Sequence, residues 1–152
     1  MMARHAQNGR VTWIGLRRSR REPMDVVSKA MAHPGGLEGD HAPEGKRAVT
    51  LFQAEHLPVI AALLGRDLIE PDRLRRNILV EGLNLLGARH KKLKLGEAIL
   101  HIEGPCPPCS RMEEALGHGG YTAVRGHGGV YASVVQGGRI AIGDRVEPIP
   151  QT

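Results

Sequence analysis

The chain has few aromatic residues: one Phe, one Trp and two Tyr among 152 residues. Four aromatic side chains are poor material for the stacking platforms that bind single-stranded nucleic acid, so we expect no nucleic-acid partner despite a formal charge of +5. No apolar run approaches the roughly 18 residues of a membrane helix. Residues 1–8 lack the apolar segment of a secretory signal. These absences predict a protein without a membrane or nucleic-acid partner, with a core built from Val, Ile, Leu and Ala.

The chain also has only two cysteines, Cys106 and Cys109. Two cysteines three residues apart do not form the disulfide framework of a small secreted protein. We therefore expect a reducing, cytoplasmic setting.

The pattern of short β-rich segments predicts the fold class. Twenty glycines and ten prolines indicate many turns, and strands do not alternate regularly with helices. This pattern predicts a mainly β single domain over residues 1–152: a closed β-barrel of about seven or eight short strands with a few short helices at its ends. The clearest expected strands are 11–16, 47–51, 77–80, 98–102, 130–135 and 139–142, with a weaker one at 26–31.

The sequence also makes three local predictions, for a helix start, a hairpin and a strand end. Thr50 and Gln53 fit a capping box for a helix that runs towards Gly65, although Pro58 implies either a kink or a later start. Gly137-Gly138 predicts a tight hairpin between the strands at 130–135 and 139–142. The arginine run that begins at Arg17 is interpreted as the solvated exit of the first strand.

Candidate functional residues lie in three places. Cys109 comes one residue before Ser110, which with Glu113 fits a capping box, and a helix N-terminus would favour the thiolate. Asp40 and His41 occupy a glycine-rich loop that could bind metal or perform acid–base chemistry.

The third place is the mouth of a strand. Arg75 and Arg76 stand there beside Asn77. Guanidinium groups suit phosphates, and the asparagine amide suits the edge of a heterocycle.

The two cysteines admit three interpretations. A dithiol redox site fits the C-x-x-C spacing, although the second half of the chain lacks the βαβ units of a thioredoxin-like fold. A zinc site would need further ligands, such as His101, His118 or His127, which show no paired spacing. The third interpretation is a single thiolate that ligates a soft metal or carries sulfur beside an anionic cofactor.

Several of these segments together resemble a MOSC domain, the module at the C-terminus of molybdenum cofactor sulfurases. The resemblance covers roughly residues 10–148. It is carried by the order and spacing of the Asp40 loop, the Arg-x-Asn of Arg75 and Asn77, the Pro108-Cys109 element and the closing turns. These segments read L37-E-G-D-H41, R75-R-N-I78, G82-L-N-L85, L95-G-E97, G137-G-R-I140 and G143-D-R-V146.

The resemblance implies a barrel that binds the pyranopterin molybdenum cofactor, with Cys109 as the metal ligand or sulfur acceptor, although Cys106 competes for that role. It carries the cofactor-binding role over to Asp40, Arg75 and Asn77. Pyridoxal phosphate binding is implied only as a property of the family as a whole, without particular residues of this chain. The full expected cofactor site is Asp40, His41, Arg75, Arg76, Asn77, Arg125 and His127.

The implied activity is reduction of a small N-hydroxylated compound, with electrons from a separate reductase. The alternatives are a non-catalytic carrier of sulfur or cofactor, and a dithiol redox protein that uses both cysteines.

Overall fold

The computed structural model describes residues 8–19, 22–41, 45–106, 116–124 and 127–150. Within these ranges the chain forms eleven strands: β1 (Gly9–Leu16), β2 (Asp25–Val27), β3 (Lys29–His33), β4 (Gly36–Leu37), β5 (Val49–Gln53), β6 (Ile78–Glu81), β7 (Lys92–Leu95), β8 (Ala98–Pro105), β9 (Val130–Gln136), β10 (Gly138–Ala141) and β11 (Arg145–Pro148). The same ranges hold two α-helices, α1 (His56–Leu63) and α2 (Gly120–Val124), and 3-10 helices at Gly45–Arg47, Pro71–Leu74 and Leu86–Ala88.

Seven strands close into a barrel, which confirms the predicted fold class. Their order is β11-β7-β8-β9-β5-β6-β1, and a further pairing of β1 with β11 completes the circuit. The β5–β6 pairing is parallel because α1 lies in the connection between these strands. β2 pairs with β1 at the edge of this sheet, and β10, β3 and β4 form a separate three-stranded sheet.

The prediction of a β9–β10 hairpin is wrong. β10 pairs with β3 instead, with Arg139 opposite Met31 and Ile140 opposite Ala30. The glycine at 137 allows the chain to pass close to β3 where it leaves the barrel sheet, because a Cβ on Gly137 would lie 2.6 Å from the Ala32 carbonyl oxygen. The expected strand at 26–31 is likewise divided between the sheets, as β2 and β3.

Helix α1 begins later than the predicted capping box. Thr50 lies inside β5, and the N-cap residue Glu55 makes no side-chain capping hydrogen bond. Pro58 therefore falls in the first turn, where no intrahelical N–H bond is lost. Gly65, with a φ of +68°, follows the end of the helix as predicted. Neither α-helix in the described ranges has the length and apolar composition required to cross a lipid bilayer.

The core divides into two clusters. The inner cluster fills the barrel, and its buried residues are all aliphatic, as the shortage of aromatic residues predicts. The second cluster lies outside the sheet, where Phe52 and Leu79 pack with Ile60 of α1 and Val124 of α2. Because side chains alternate along β5, Leu51 faces the barrel and Phe52 faces the helices. This outer cluster fixes α1 and α2 beside β5 and β6.

Replacement of Gly129 by alanine tests how tightly the chain is held where it enters β9. Gly129 and Gly143 have similar positive φ angles, +87° and +92°. A Cβ at Gly129 would overlap the Leu51 carbonyl oxygen, whereas a Cβ at Gly143 meets nothing within 4 Å.

We expect Gly143→Ala to lower the free energy of unfolding by about 1–2 kcal/mol, from left-handed strain alone. Gly129→Ala should lower it by a further 1–3 kcal/mol, roughly, because of the steric overlap. Equal losses in urea denaturation would contradict this account.

Candidate functional site

The first element of the site is a buried ion pair at the end of β1. Arg17 follows this strand, and its Nε and Nη2 donate to the two carboxylate oxygens of Asp40 at 3.2 and 3.0 Å. The Arg17 backbone N–H donates to the same carboxylate at 2.7 Å. The side chain of Asp40 is 0% exposed and that of Arg17 is 16% exposed. Arg17 is therefore not part of a solvated strand exit, and this part of the sequence interpretation is wrong.

The pKa of Asp40 reflects two opposing influences. Burial by itself raises the pKa of the carboxyl group. Hydrogen bonds and charge from Arg17, with a smaller contribution from the Asn77 amide, more than offset the burial and hold the pKa below its ordinary value of 3.8. Asp40 is therefore held as a carboxylate beside a guanidinium group.

Asn77 is the hub that connects this ion pair to the sheet. Its side-chain oxygen accepts hydrogen bonds from the backbone N–H and the hydroxyl of Thr50, at 3.0 and 3.1 Å. Its side-chain NH2 donates to the Gly15 carbonyl and to Asp40, each at 3.1 Å. Asn77 is 0% exposed. The amide therefore ties β1, β5 and the start of β6 to the Asp40 loop, which is a positioning role.

The two arginines before Asn77 point to different partners. Arg75 has a left-handed backbone, with φ of 56°, and its guanidinium group donates to the carbonyl oxygens of Ser19 at 2.9 Å and Glu22 at 2.5 Å. Arg76 donates from Nε to the Gly128 carbonyl at 2.8 Å. Arg75 thus fastens the segment after β1, while Arg76 reaches the start of β9.

Cys106 is the cysteine that the structure describes. It follows β8, and its backbone N–H donates to the Gly129 carbonyl at 2.8 Å. It is 9% exposed, and burial raises the pKa of its thiol, although positive charge from Arg76, Arg47 and Arg17 acts in the opposite direction. The net effect keeps this thiol protonated at neutral pH.

Arg47 reaches this region from the 3-10 helix before β5. Its guanidinium carbon lies 4.9 Å from the centre of the Tyr131 ring, a cation–π contact. Tyr131 in turn stands opposite Gly104 in the β8–β9 pairing. Arg47 is exposed, so its charge remains available to a bound anion.

The predicted site residues therefore fall into several groups. Asp40, Asn77 and the backbone of Arg75 meet at Arg17, whose Nη1 lies 3.5 Å from the Arg75 carbonyl oxygen. His41 is exposed, with its Nδ1 2.9 Å from the Arg17 carbonyl oxygen.

His127 packs away from this group, with its ring centre 5.2 Å from that of His56. Cys109 and Arg125 lie outside the described residues, as does the predicted helix cap at Ser110.

Sequence reasoning did not single out Arg17, Arg47, Thr50 or His56 as site residues. Arg17 carries a usable signal, because it is the first charge after a buried strand and so lies at the barrel end. Arg47, Thr50 and His56 carry none, since only the folded structure brings them to their partners. Among the described residues, no three His, Cys, Asp or Glu side chains are grouped as a metal site would require.

The fold and this site define a class of protein: a closed seven-stranded barrel with an arginine-rich end around a buried cysteine. The MOSC domain family model matches residues 30–147. The chain therefore belongs to the MOSC domain family, as its sequence motifs predict. No curated protein matches this chain.

Solved structures share the same fold at low sequence identity. The YuaD protein from Bacillus subtilis is 18% identical, with a TM-score of 0.82 over 95% of this chain and 98% of that one. YiiM from Geobacillus stearothermophilus is 16% identical, with a TM-score of 0.79 over 93% of this chain and 75% of its own. YiiM from Escherichia coli is 19% identical, with a TM-score of 0.73 over 94% and 71%. At these identities the likeness establishes the fold alone.

Proposed function

We propose that this protein binds the pyranopterin molybdenum cofactor and reduces small N-hydroxylated compounds with electrons from a separate reductase. The observation that carries the proposal is a set of arginines at one end of the barrel. Asp40 and Asn77 hold Arg17, and the Gly128 carbonyl holds Arg76 next to the Gly129 that binds the backbone of buried Cys106. With Arg47, whose guanidinium group lies over Tyr131, these arginines form what we call the arginine site. Membership of the MOSC domain family supports the choice of cofactor, because the family is linked to it. Each further step rests on the chemistry of the residues present.

The donor set fits an anionic cofactor. The site has three guanidinium groups, those of Arg17, Arg47 and Arg76, and one carboxylate, that of Asp40. Guanidinium groups bind phosphate oxygens through charge-assisted hydrogen bonds. Asp40 and Asn77 hold Arg17, and the Gly128 carbonyl holds Arg76, so a phosphate would meet groups already fixed in place. Such preorganisation reduces the entropy lost on binding.

The two cysteines have different roles in this proposal. Cys109 is the expected metal ligand, on the strength of the family resemblance. Cys106 is a buried thiol whose raised pKa makes it a poor nucleophile. This property disfavours a dithiol mechanism, in which both sulfurs have to react in turn. Cys106 instead supports the wall of the site through its backbone bond to Gly129.

The reaction has a simple balance: R–NHOH + 2 e⁻ + 2 H⁺ → R–NH2 + H2O. When bound, the cofactor supplies two-electron oxygen-atom chemistry, which no side chain of the chain supplies. The chain's own contribution is to bind the anionic part of the cofactor with Arg17, Arg47 and Arg76 and to present one thiolate.

The proposal is tested by turnover of an N-hydroxylated amidine, benzamidoxime, with chemically reduced viologen as electron donor. The protein is produced in a host that makes the molybdenum cofactor. We expect the wild type to form the amidine. Cofactor retention by Arg47→Ala should be lower than that of the wild type by a factor of about ten or more. The reason is that a charge-assisted contact contributes about 1.5–3 kcal/mol to the binding free energy. Arg145→Ala, which removes an exposed arginine paired with Glu147 on β11, is the matched control and should retain wild-type levels.

The outcomes separate the two remaining functions. Bound cofactor with turnover supports the enzyme. Bound cofactor without turnover overturns the reductase activity and indicates a carrier. Equal cofactor retention by Arg47→Ala and Arg145→Ala would contradict the arginine site.

A further inference from the structure

Two histidines form a contact that the proposed function does not use. His56 opens α1, and its ring lies 5.2 Å from that of His127 with the planes 72° apart. The other ring neighbour of His56 is Phe52, at 6.3 Å. His56 Nδ1 is a buried side-chain atom without a hydrogen-bond partner among the described residues. A proton on this nitrogen would have no hydrogen-bond acceptor among the described residues, and burial disfavours the charged ring.

His127 belongs to the segment that holds the arginine site. The next residue, Gly128, provides the carbonyl oxygen that accepts the Arg76 hydrogen bond at 2.8 Å. The residue after that, Gly129, accepts the backbone hydrogen bond of Cys106 at 2.8 Å. The His127 backbone N–H donates to the Val124 carbonyl at the end of α2. His127 is therefore adjacent in the chain to the two carbonyl groups that hold Arg76 and Cys106.

Among the described residues, the charges that act on His56 come from its neighbour in sequence and from His127. Glu55, adjacent to His56, favours its protonation, whereas burial and the charge of His127 oppose it. β5, which carries Phe52, has no ionisable residue, and the described side chains of α2 have none. Burial is the largest influence, and the net effect lowers the pKa of His56 below its ordinary value of 6.5. The neutral form of His56 is thus the one that the fold favours.

We infer that the His56–His127 contact is an acid-released latch between α1 and the Gly128–Gly129 segment. With His56 neutral, the contact fixes the segment and, through it, Arg76 and Cys106. A proton on His56 places a charge against the His127 ring at a buried nitrogen that has no hydrogen-bond partner among the described residues. The latch then opens, and the carbonyl groups of Gly128 and Gly129 leave their donors. This device regulates the arginine site whatever anion the site binds.

The direction of the pH dependence follows from proton linkage. A histidine whose pKa is lowered in the closed form binds more protons in the open form. The closed form is therefore fully favoured above pH 6.5 and loses stability as the pH falls below that value. Because opening takes up one proton, the equilibrium constant for opening rises by at most about tenfold for each pH unit below this value.

Amide hydrogen exchange measured by NMR tests the latch between pH 5.5 and 7.5, after correction for the intrinsic pH dependence of exchange. The reporter is the Cys106 N–H, bonded to Gly129, and the reference is the Glu97 N–H, bonded to Arg139 at the opposite end of β8. In the wild type, Cys106 protection relative to Glu97 should fall below pH 6.5, by up to about tenfold per unit. His56→Gln, which cannot gain the proton, should abolish this fall. His118→Gln, which changes an exposed histidine, should preserve it.

Two results would overturn the latch. One is a wild-type ratio that does not change with pH, which includes a parallel fall at Cys106 and Glu97 that would report global rather than local opening. The other is an equal fall in His56→Gln. The wild-type ratio decides the matter even if His56→Gln does not fold.

Discussion

Asp40→Ala is expected to lower the free energy of unfolding by about 3–5 kcal/mol, the usual effect of breaking a buried ion pair. The substitution removes both oxygens that hold the Arg17 guanidinium group, one of which also accepts from the Asn77 amide. Arg17 is left as a largely buried charge without its carboxylate, and Asn77 loses one of its hydrogen bonds. The measurement is urea denaturation at pH 7.

The chain provides a matched control one residue away. Arg18 donates to Asp25 at 2.7 Å, but both side chains are about half exposed, at 49% and 47%. An exposed ion pair contributes about 0–1 kcal/mol, so Asp25→Ala should have a small effect. A loss at Asp40 as small as that at Asp25 would contradict the role of the buried pair.

The same ion pair makes stability depend on acid. The pKa of Asp40 is held below 3.8 in the folded protein, so the folded form binds fewer protons than the unfolded chain below that pH. Its contribution is therefore complete above pH 3.8 and is lost as the pH falls further. Asp40→Ala should remove this part of the acid dependence and leave the remainder.

Serine substitution at the two cysteines should have opposite effects on the proposed activity. Cys109→Ser should abolish turnover, because the expected metal ligand is lost. Cys106→Ser should retain turnover, because the Cys106 thiol is protonated and its backbone bond to Gly129 is unchanged. A dithiol protein would instead lose activity in both variants. Loss in Cys106→Ser alone would reassign the reacting sulfur.

Five of the seven barrel strands, β1, β5, β6, β8 and β9, could be predicted from the sequence because each carries a local signal. β7 and β11 are not among the clearest expected strands. β1 and β8 combine β-branched and aliphatic residues with a clear turn or glycine at their ends. The 3-10 helix at Pro71–Leu74 is signalled by its proline, and the end of α1 by Gly65. These features depend on neighbours in sequence, which the chain itself displays.

Strand partners and buried polar contacts could not be predicted in the same way. Gly137-Gly138 has the composition of a hairpin turn, but the long-range pairing of β10 with β3 prevails. Thr50 has the spacing of a helix cap, but its hydroxyl bonds to Asn77 inside the barrel wall.

In the candidate site, the glycine-rich loop points to Asp40 and the strand mouth points to Asn77, and the family motifs include both, whereas the sequence interpretation places Arg17 in solvent. Burial of a charged residue depends on what faces it across the fold, and local sequence does not show this.

The most direct test of the proposed function is the molybdenum and pterin content of purified protein from a cofactor-producing host, measured for the wild type, Cys109→Ser and Cys106→Ser. We predict near-stoichiometric molybdenum in the wild type and Cys106→Ser, and none in Cys109→Ser. Absence of molybdenum from all three proteins, with a persulfide or a reversible disulfide at Cys109, would contradict the proposal and indicate a sulfur carrier or a redox protein.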